Sequence, residues 1–169
     1  MIEVNNRSLI ITDPCYIAKD EDWGSSFDWD TDEIDSSLGF SDYLWVPSGY
    51  GDGSPDVFEM DRDINLYRYY RYFDELAEAR ENNDDDSINE LRSLQSKIGG
   101  YCMDAGAMGV FYLDEVAKYN PSFFDEYSDF CYCIIEDFTG TIEDIEDSSG
   151  CYHFVLTPED NLEPIIATD

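Results

Sequence analysis

Forty acidic residues stand against nine basic ones in this chain of 169, a formal net charge of −31. That imbalance constrains the fold more than any motif does. Like charges repel one another in a compact state, and a charged chain poor in apolar residues stays disordered because burial does not offset its ordering entropy. Here 43% of residues are hydrophobic and 15% aromatic, enough to build a core at this length. The composition predicts a single folded domain over 1–169 with its acids outside.

No run approaches the roughly 18 apolar residues of a membrane span. The opening MIEVNNRSLIITD lacks the basic start and apolar run of a signal peptide, so the expected compartment is the cytoplasm. Cys15, Cys102, Cys131, Cys133 and Cys151 are odd in number and lie in apolar or aromatic surroundings. They read as buried thiols rather than a disulfide framework.

The first third reads as short strands between acidic loops. SLIITD (8–13) is β-branched, and Asp13-Pro14 ends it. Residues 20–36 are rich in acids and hold no basic residue. DYLWVP (42–47) and DVFEM (56–60) flank a glycine-rich turn, GYGDGSP (49–55). In the middle, Leu66, Tyr70, Phe73 and Ala77 recur at helical spacing. Ser87 with Glu90 forms a capping box for a second helix, lined by Ile88, Leu91, Leu94 and Ile98 and stopped by Gly99-Gly100. With NNDDD (82–86) between them, these segments predict a helical hairpin with an acidic tip. The last third returns to strands at 107–113, 130–135 and 151–157, each apolar on both alternate faces as in strands covered on both sides. DEVAKY (114–119) fits a short helix, and DSSG (147–150) turns 141–146 back into a hairpin with 151–157. The fold class is α+β: a mostly antiparallel sheet with an inserted helical hairpin at about 62–98.

Several segments together resemble a known group: ITDPCYI (11–17), Trp23 after Asp20-Glu21-Asp22, GDG (51–53), CMDAGAMGVF (102–111), LDEVAKYNP (113–121) and DFTGTIE (137–143). The group is a set of uncharacterised proteins of bacteriophages and gut bacteria, and the resemblance spans roughly 1–60 and 98–145. It implies a phage or mobile-element origin and brings no agreed activity with it. Members of that group pass from the GDG region to the DAG segment more directly, so the resemblance makes 62–97 an insertion. Residues 146–169 fall outside it.

Specific chemistries are weakly represented. Cys15 beside Asp13, Cys102 beside Asp104 and the single histidine, His153, make a Cys-His arrangement formally available. The bland reading is buried thiols with carboxylates holding turns. Phosphate-loop, dinucleotide and metalloprotease-helix motifs do not occur. Asp28, Asp30 and Asp32 have the alternate spacing that opens a calcium loop, but the sixth and twelfth positions are Glu33 and Gly39 rather than glycine and an acid. Cys131 and Cys133 would project from one side of a strand without the second ligand pair a zinc site needs. No metal and no cofactor is expected. Direct nucleic-acid binding runs against the charge. The RYYRYF segment (68–73) reads as a core face whose Arg71 pairs with Glu75, with Asp74 near Arg68.

The charge itself remains. Duplex DNA carries one negative charge per roughly 1.7 Å of axis, so this chain's total matches about 50 Å of duplex. The sequence therefore predicts a phage-type acidic DNA mimic that inhibits a host defence enzyme, a CRISPR-type nuclease or a restriction enzyme. Its partner would be a basic nucleic-acid-binding protein of the host. The candidate contacts are Asp28, Asp30, Asp32, Glu33 and Asp35; Asp84, Asp85 and Asp86; and Glu143, Asp144, Glu146 and Asp147. Tyr43, Trp45 and Tyr50 are candidate aromatic anchors. A generic acidic surface or halophilic adaptation also fits the charge, and a non-catalytic small-ligand binder with a pocket near the DPCY and DAG turns is the alternative function.

Repulsion on a folded surface is relieved by salt, because the screening length falls from about 10 Å at 0.1 M to about 3 Å at 1 M. Melting temperature should therefore rise with sodium chloride across that range. A flat or falling curve by scanning calorimetry would show that repulsion is not a material cost to this fold.

Overall fold

The computed structural model describes residues 1–28, 30–47, 51–60, 66–160 and 163–168, and for 66–70 and 168 the backbone alone. Among these residues ten strands run in chain order: β1 (Ile2–Thr12), β2 (Phe27–Asp28), β3 (Glu33–Ile34), β4 (Leu44–Pro47), β5 (Asp56–Met60), β6 (Gln95–Gly100), β7 (Ala107–Tyr112), β8 (Tyr132–Glu146), β9 (Tyr152–Pro158) and β10 (Ile165–Thr168). Five α-helices of the described residues accompany them: α1 (Pro14–Ile17), α2 (Leu66–Glu81), α3 (Asp85–Arg92), α4 (Leu113–Tyr119) and α5 (Phe123–Glu126). Eight strands form one antiparallel sheet in the order β4-β7-β1-β8-β9-β10-β5-β6, and β2 and β3 form a separate small hairpin. The α+β prediction holds.

Side-chain alternation explains why the central strands are apolar throughout. Leu9 and Ile11 of β1, Val110 of β7, Phe154 and Leu156 of β9 and Val57 of β5 share one buried cluster. The intervening residues point the other way. Ile10 and Phe111 join a second cluster with Tyr16, Val116 and Phe123 from the helices α1, α4 and α5. Val155, Ile166 and Phe58 join a third with Tyr72, Phe73 and Leu91 from α2 and α3. The first cluster has no helix over it because the sheet curls: β6 and β8 touch although three strands lie between them in the order. At that contact a Cβ on Gly99 would come 2.6 Å from the Cys133 sulfur.

The helical pair α2 and α3 does lie between β5 and β6, but its limits differ from those predicted. The second helix starts at Asp85, not at Ser87, because Asp84 is the N-cap: its carboxylate accepts the Ser87 N–H at 3.1 Å and the Ser87 hydroxyl at 2.7 Å. Asp caps as well as Ser, and Asp85 and Asp86 in the first turn complement the helix dipole. The helix ends at Arg92, and 95–100 pairs with β5 instead. Ile98, predicted on a buried helical face, is 43% exposed on this edge strand. Ser96, Gly99 and Gly100 are poor helix formers, and strand pairing satisfies their backbone. Residues 62–65, with Arg62, and the side chains of Leu66, Arg68 and Tyr70 lie outside the described residues.

The predicted strands at 130–135 and 141–146 are one strand, β8. It pairs with β1 through register shifts around Arg7 and continues into the β8–β9 hairpin. Gly140 sits where β8 passes closest to β9: a Cβ there would lie 2.1 Å from the Thr157 carbonyl oxygen. Gly140→Ala should therefore cost on the order of 1–3 kcal/mol, the range for forced overpacking. Urea unfolding checks this, and an unchanged midpoint would show that the hairpin can part at this point without penalty.

Candidate functional site

The first candidate acids belong to the small hairpin β2–β3. Phe27 and Ile34 point inward and are buried, and Phe27 packs against Phe40 and Trp45 with ring centroids 6.0 Å away in each case. Asp28, Asp30, Glu33 and Asp35 are exposed, and Asp32 is half-buried. Local bonds fix the loop. The Asp28 carboxylate accepts the Asp30 N–H at 2.9 Å, and Asp35 caps the short 3-10 turn at Ser36–Leu38 through the Ser37 N–H at 2.8 Å. Burial, with the charge of Asp28, pushes the Asp32 carboxyl up. Bonds from the Ser37 side chain and backbone hold the Asp35 carboxyl low.

The second group, Asp84 to Asp86, is exposed but is also the α3 N-terminus described above. The third group is divided by the strand pleat. Asp144 and Glu146 are exposed, and Glu143 projects from the opposite face. Asp147 does not belong to the surface set. Its side chain is 6% exposed, and it accepts the N–H groups of Ser149 at 2.8 Å and Cys151 at 3.1 Å while lying 2.9 Å from His153 Nε2. A carboxylate closing a tight turn is used up within the fold.

Two groups meet. The Tyr152 phenol is pushed up chiefly by the charge of Glu146, with Asp144 and Asp32 adding to it. The first and third groups therefore share one electrostatic neighbourhood. The third group is tied to α2 by the Ser148 N–H donating to the Asp74 carboxylate at 2.9 Å.

The expected aromatic anchors are placed differently. Trp45 is 5% exposed, inside the core. Tyr43 stacks on Phe111 with centroids 6.0 Å apart, and its hydroxyl accepts the Ile34 N–H at 2.7 Å. Tyr50 lies outside the described residues. Among the described residues the exposed aromatics are Phe130, 68% exposed, and Phe124 on α5, flanked by exposed Asp125, Glu126 and Asp129. The Phe-Asp-Glu and Asp-Phe adjacencies at 124–126 and 129–130 were the available sequence signal.

Three of the motif segments, 11–17, 51–53 and 102–111, meet at one corner. Asp13 is fully buried. One of its carboxylate oxygens accepts the Cys15 N–H at 2.9 Å, and the other accepts the N–H groups of Asp104 at 3.1 Å and Ala105 at 2.9 Å. Gly106, at φ +73°, packs against Gly51, and Gly53 bridges to Met103. Asp13 is thus a latch between the end of β1 and the DAG turn, with both oxygens engaged. Burial and the Asp13 charge push the Cys15 thiol well up, so it is held as a thiol rather than the thiolate a nucleophile needs. Cys15 and Cys102 pack against the second cluster, whereas His153 stacks on Phe73 of the third at 3.8 Å. The arrangement does not bring the cysteines and the histidine together. Cys131 and Cys133 also part: Cys131 precedes β8 and joins the second cluster, Cys133 the first. All five cysteines are free thiols, and no group of three His, Cys, Asp or Glu among the described residues is arranged to hold a metal ion. No helix among the described residues is long and apolar enough to cross a membrane.

The Asp147–His153 pair gives a pH signature. Burial lowers the His153 pKa from 6.5, against the opposing pull of Asp147. Burial works against Asp147, but bonds from Ser149, His153 and Cys151 together hold its carboxyl below the ordinary range. Below pH 6.5 the unfolded chain takes up a proton that native His153 refuses, so stability from this group is full above 6.5 and is lost as pH falls through the lowered native value. Asp147 acts in the same sense at still lower pH. His153→Gln should flatten the upper part of that acid slope, by at most about 1.4 kcal/mol per pH unit. Parallel pH-stability curves for the two proteins would show that His153 titrates as it does unfolded.

No protein-family model, no curated protein and no solved structure matches this chain.

Proposed function

We propose that this protein is an acidic nucleic-acid mimic that occupies the nucleic-acid groove of a host defence enzyme, a CRISPR-type nuclease or a restriction enzyme. The observation that carries the reading is the β2–β3 hairpin: Phe27 and Ile34 anchor it in the core while Asp28, Asp30, Glu33 and Asp35 face solvent. Its acids are held at fixed positions on a folded scaffold. The ion pairs of the described residues engage Arg7 with Asp114 and Glu115, Arg71 with Glu75, and Lys97 with Asp56, and none of the hairpin acids.

The mechanism is competition without chemistry. Carboxylates meet the Lys and Arg side chains that otherwise hold phosphates, and complementary charge speeds encounter and fixes orientation. Acids alone give little residence time, because exposed pairs contribute only about 0.2–1 kcal/mol each. Phe124, which packs edge-on against Phe123 of the cluster that also holds Phe27 and Ile34, and the exposed Phe130 supply the apolar contacts that acids lack. This reading ranks the candidate groups. The β2–β3 acids with Asp144 and Glu146 form the contact face, and Asp84 to Asp86 serve α3.

The test is capture of the partner from a host lysate, identification by mass spectrometry, and binding kinetics in competition with duplex or guide nucleic acid. Neutralising Asp28, Asp30, Glu33 and Asp35 together should slow association tenfold or more, the lower end of the range for electrostatic steering, roughly 10- to 1,000-fold. Neutralising Asp85 and Asp86 should change it little, and Phe130→Ser should act mainly on dissociation. Simultaneous, independent binding of protein and nucleic acid to the partner would exclude mimicry.

A further inference from the structure

In a molecule this rich in carboxylates, two arginines lack an ion-pair partner among the described residues. Arg80 lies in the last turn of α2 and Arg92 in the last turn of α3, and the ion pairs of the described residues engage neither. Both line one cavity of about 390 Å³ between α2, α3 and β5. Both also act on one buried phenol: burial raises Tyr72 to about 12 even against the charges of Arg80 and Arg92, which lower it. A last-turn arginine favours its helix through the dipole. That accounts for each residue alone and not for their convergence.

The other polar groups of the cavity point to the same ligand charge. Gln95 accepts the Tyr72 hydroxyl on its amide oxygen at 2.6 Å, which leaves the amide nitrogen as its donor end. Ser54 adds a hydroxyl. Asp56 is the one carboxylate among the lining residues, and it is ion-paired with Lys97. The walls are apolar, made by Phe58, Phe73 and Leu76. The cavity is therefore rich in donors, carries two positive charges and has room beside them for a carbon body. Its volume is within the range of small-molecule sites, roughly 300–1,000 Å³.

We propose that this cavity binds a small phosphate monoester, its phosphate held between Arg80 and Arg92 and its apolar body against Phe58, Phe73 and Leu76. Two guanidinium forks match the charge and the several terminal oxygens of a phosphate dianion, whereas a monocarboxylate balances only one of them. The field of the remaining molecule repels anions, so retention of a dianion depends on this local set of donors. The site is independent of the nucleic-acid-mimic reading, which uses other elements.

The experiment is an NMR titration of the full chain at constant ionic strength with phenyl phosphate, inorganic phosphate and benzoate. Phenyl phosphate should give saturable amide shifts at Ser54, Leu76, Arg80 and Gln95. Inorganic phosphate and benzoate should each bind about tenfold more weakly, one lacking the ring and the other the second charge, a difference of about 1.4 kcal/mol. R80Q/R92Q should abolish saturation. R71Q, an equal charge change on the same helix at the Glu75 pair, should leave it intact. R80K/R92K keeps both charges and the helix-end interaction but loses the planar forks. It should weaken binding while shifting the same residues, and it carries the test if the glutamine pair does not fold. Shifts that never saturate, that survive R80Q/R92Q, or that are matched by benzoate at equal affinity would overturn the proposal.

Discussion

Mutual repulsion of the carboxylates is the constraint on which the rest of this structure depends. Nine basic residues cannot offset forty acids, so apolar burial has to hold the chain together against its own field. The sheet meets that demand by burying both faces. One face closes on itself around Leu9, Ile11, Phe154 and Leu156. The other is covered in two places by separate sets of helices. With the strand interiors committed to core, the acids are displaced to turns, helix ends and the outward positions of edges.

Turns and helix ends then make use of them. Asp13, Asp35, Asp84 and Asp147 each accept backbone N–H groups at the start of a helix or within a turn. A carboxylate in such a place satisfies donors that would otherwise be orphaned. Asp13 goes further, since its second oxygen joins two segments far apart in sequence. Acids of this kind stabilise the fold and have little left to offer a partner. Those of the β2–β3 hairpin differ: Asp28 and Glu33 alternate with the buried Phe27 and Ile34 and face away from the protein.

Hydrophobic alternation made much of this legible in the sequence. The strands β5 and β7, the helix α4 and the β8–β9 hairpin lie where the pattern put them. The continuity of β8 was hidden because Glu136-Asp137 and Gly140 interrupt the apolar pattern, and only the register shifts opposite Arg7 show how one strand carries across. The strand β10 was missed since Ile165–Thr168 is short and follows a proline. At α3, both Asp84 and Ser87 satisfy capping rules, and sequence does not rank two adequate caps. For the site, burial was the missing quantity. Asp147 looks like any acid of an exposed turn until His153 is found beside it, and Trp45 looks like an anchor until the β2–β3 hairpin covers it.

The distribution of charge separates the two proposed roles. Residues 62–97 hold six of the nine basic residues and nine of the forty acids, so that segment is close to neutral and nearly all of the −31 lies elsewhere. A face that competes with nucleic acid for basic side chains gains most where negative charge is concentrated and least along a nearly balanced helical pair. The near balance of charge along this segment weakens its net pull on a distant partner, beyond the Debye length of roughly 8–10 Å. The same balance is what lets Arg80 and Arg92 keep a local positive field inside a strongly negative molecule. Placing six of the nine cations in one segment thus leaves the β2–β3 and β8–β9 hairpins without a lysine or arginine, and it creates a cavity whose lining holds two arginines and a single carboxylate.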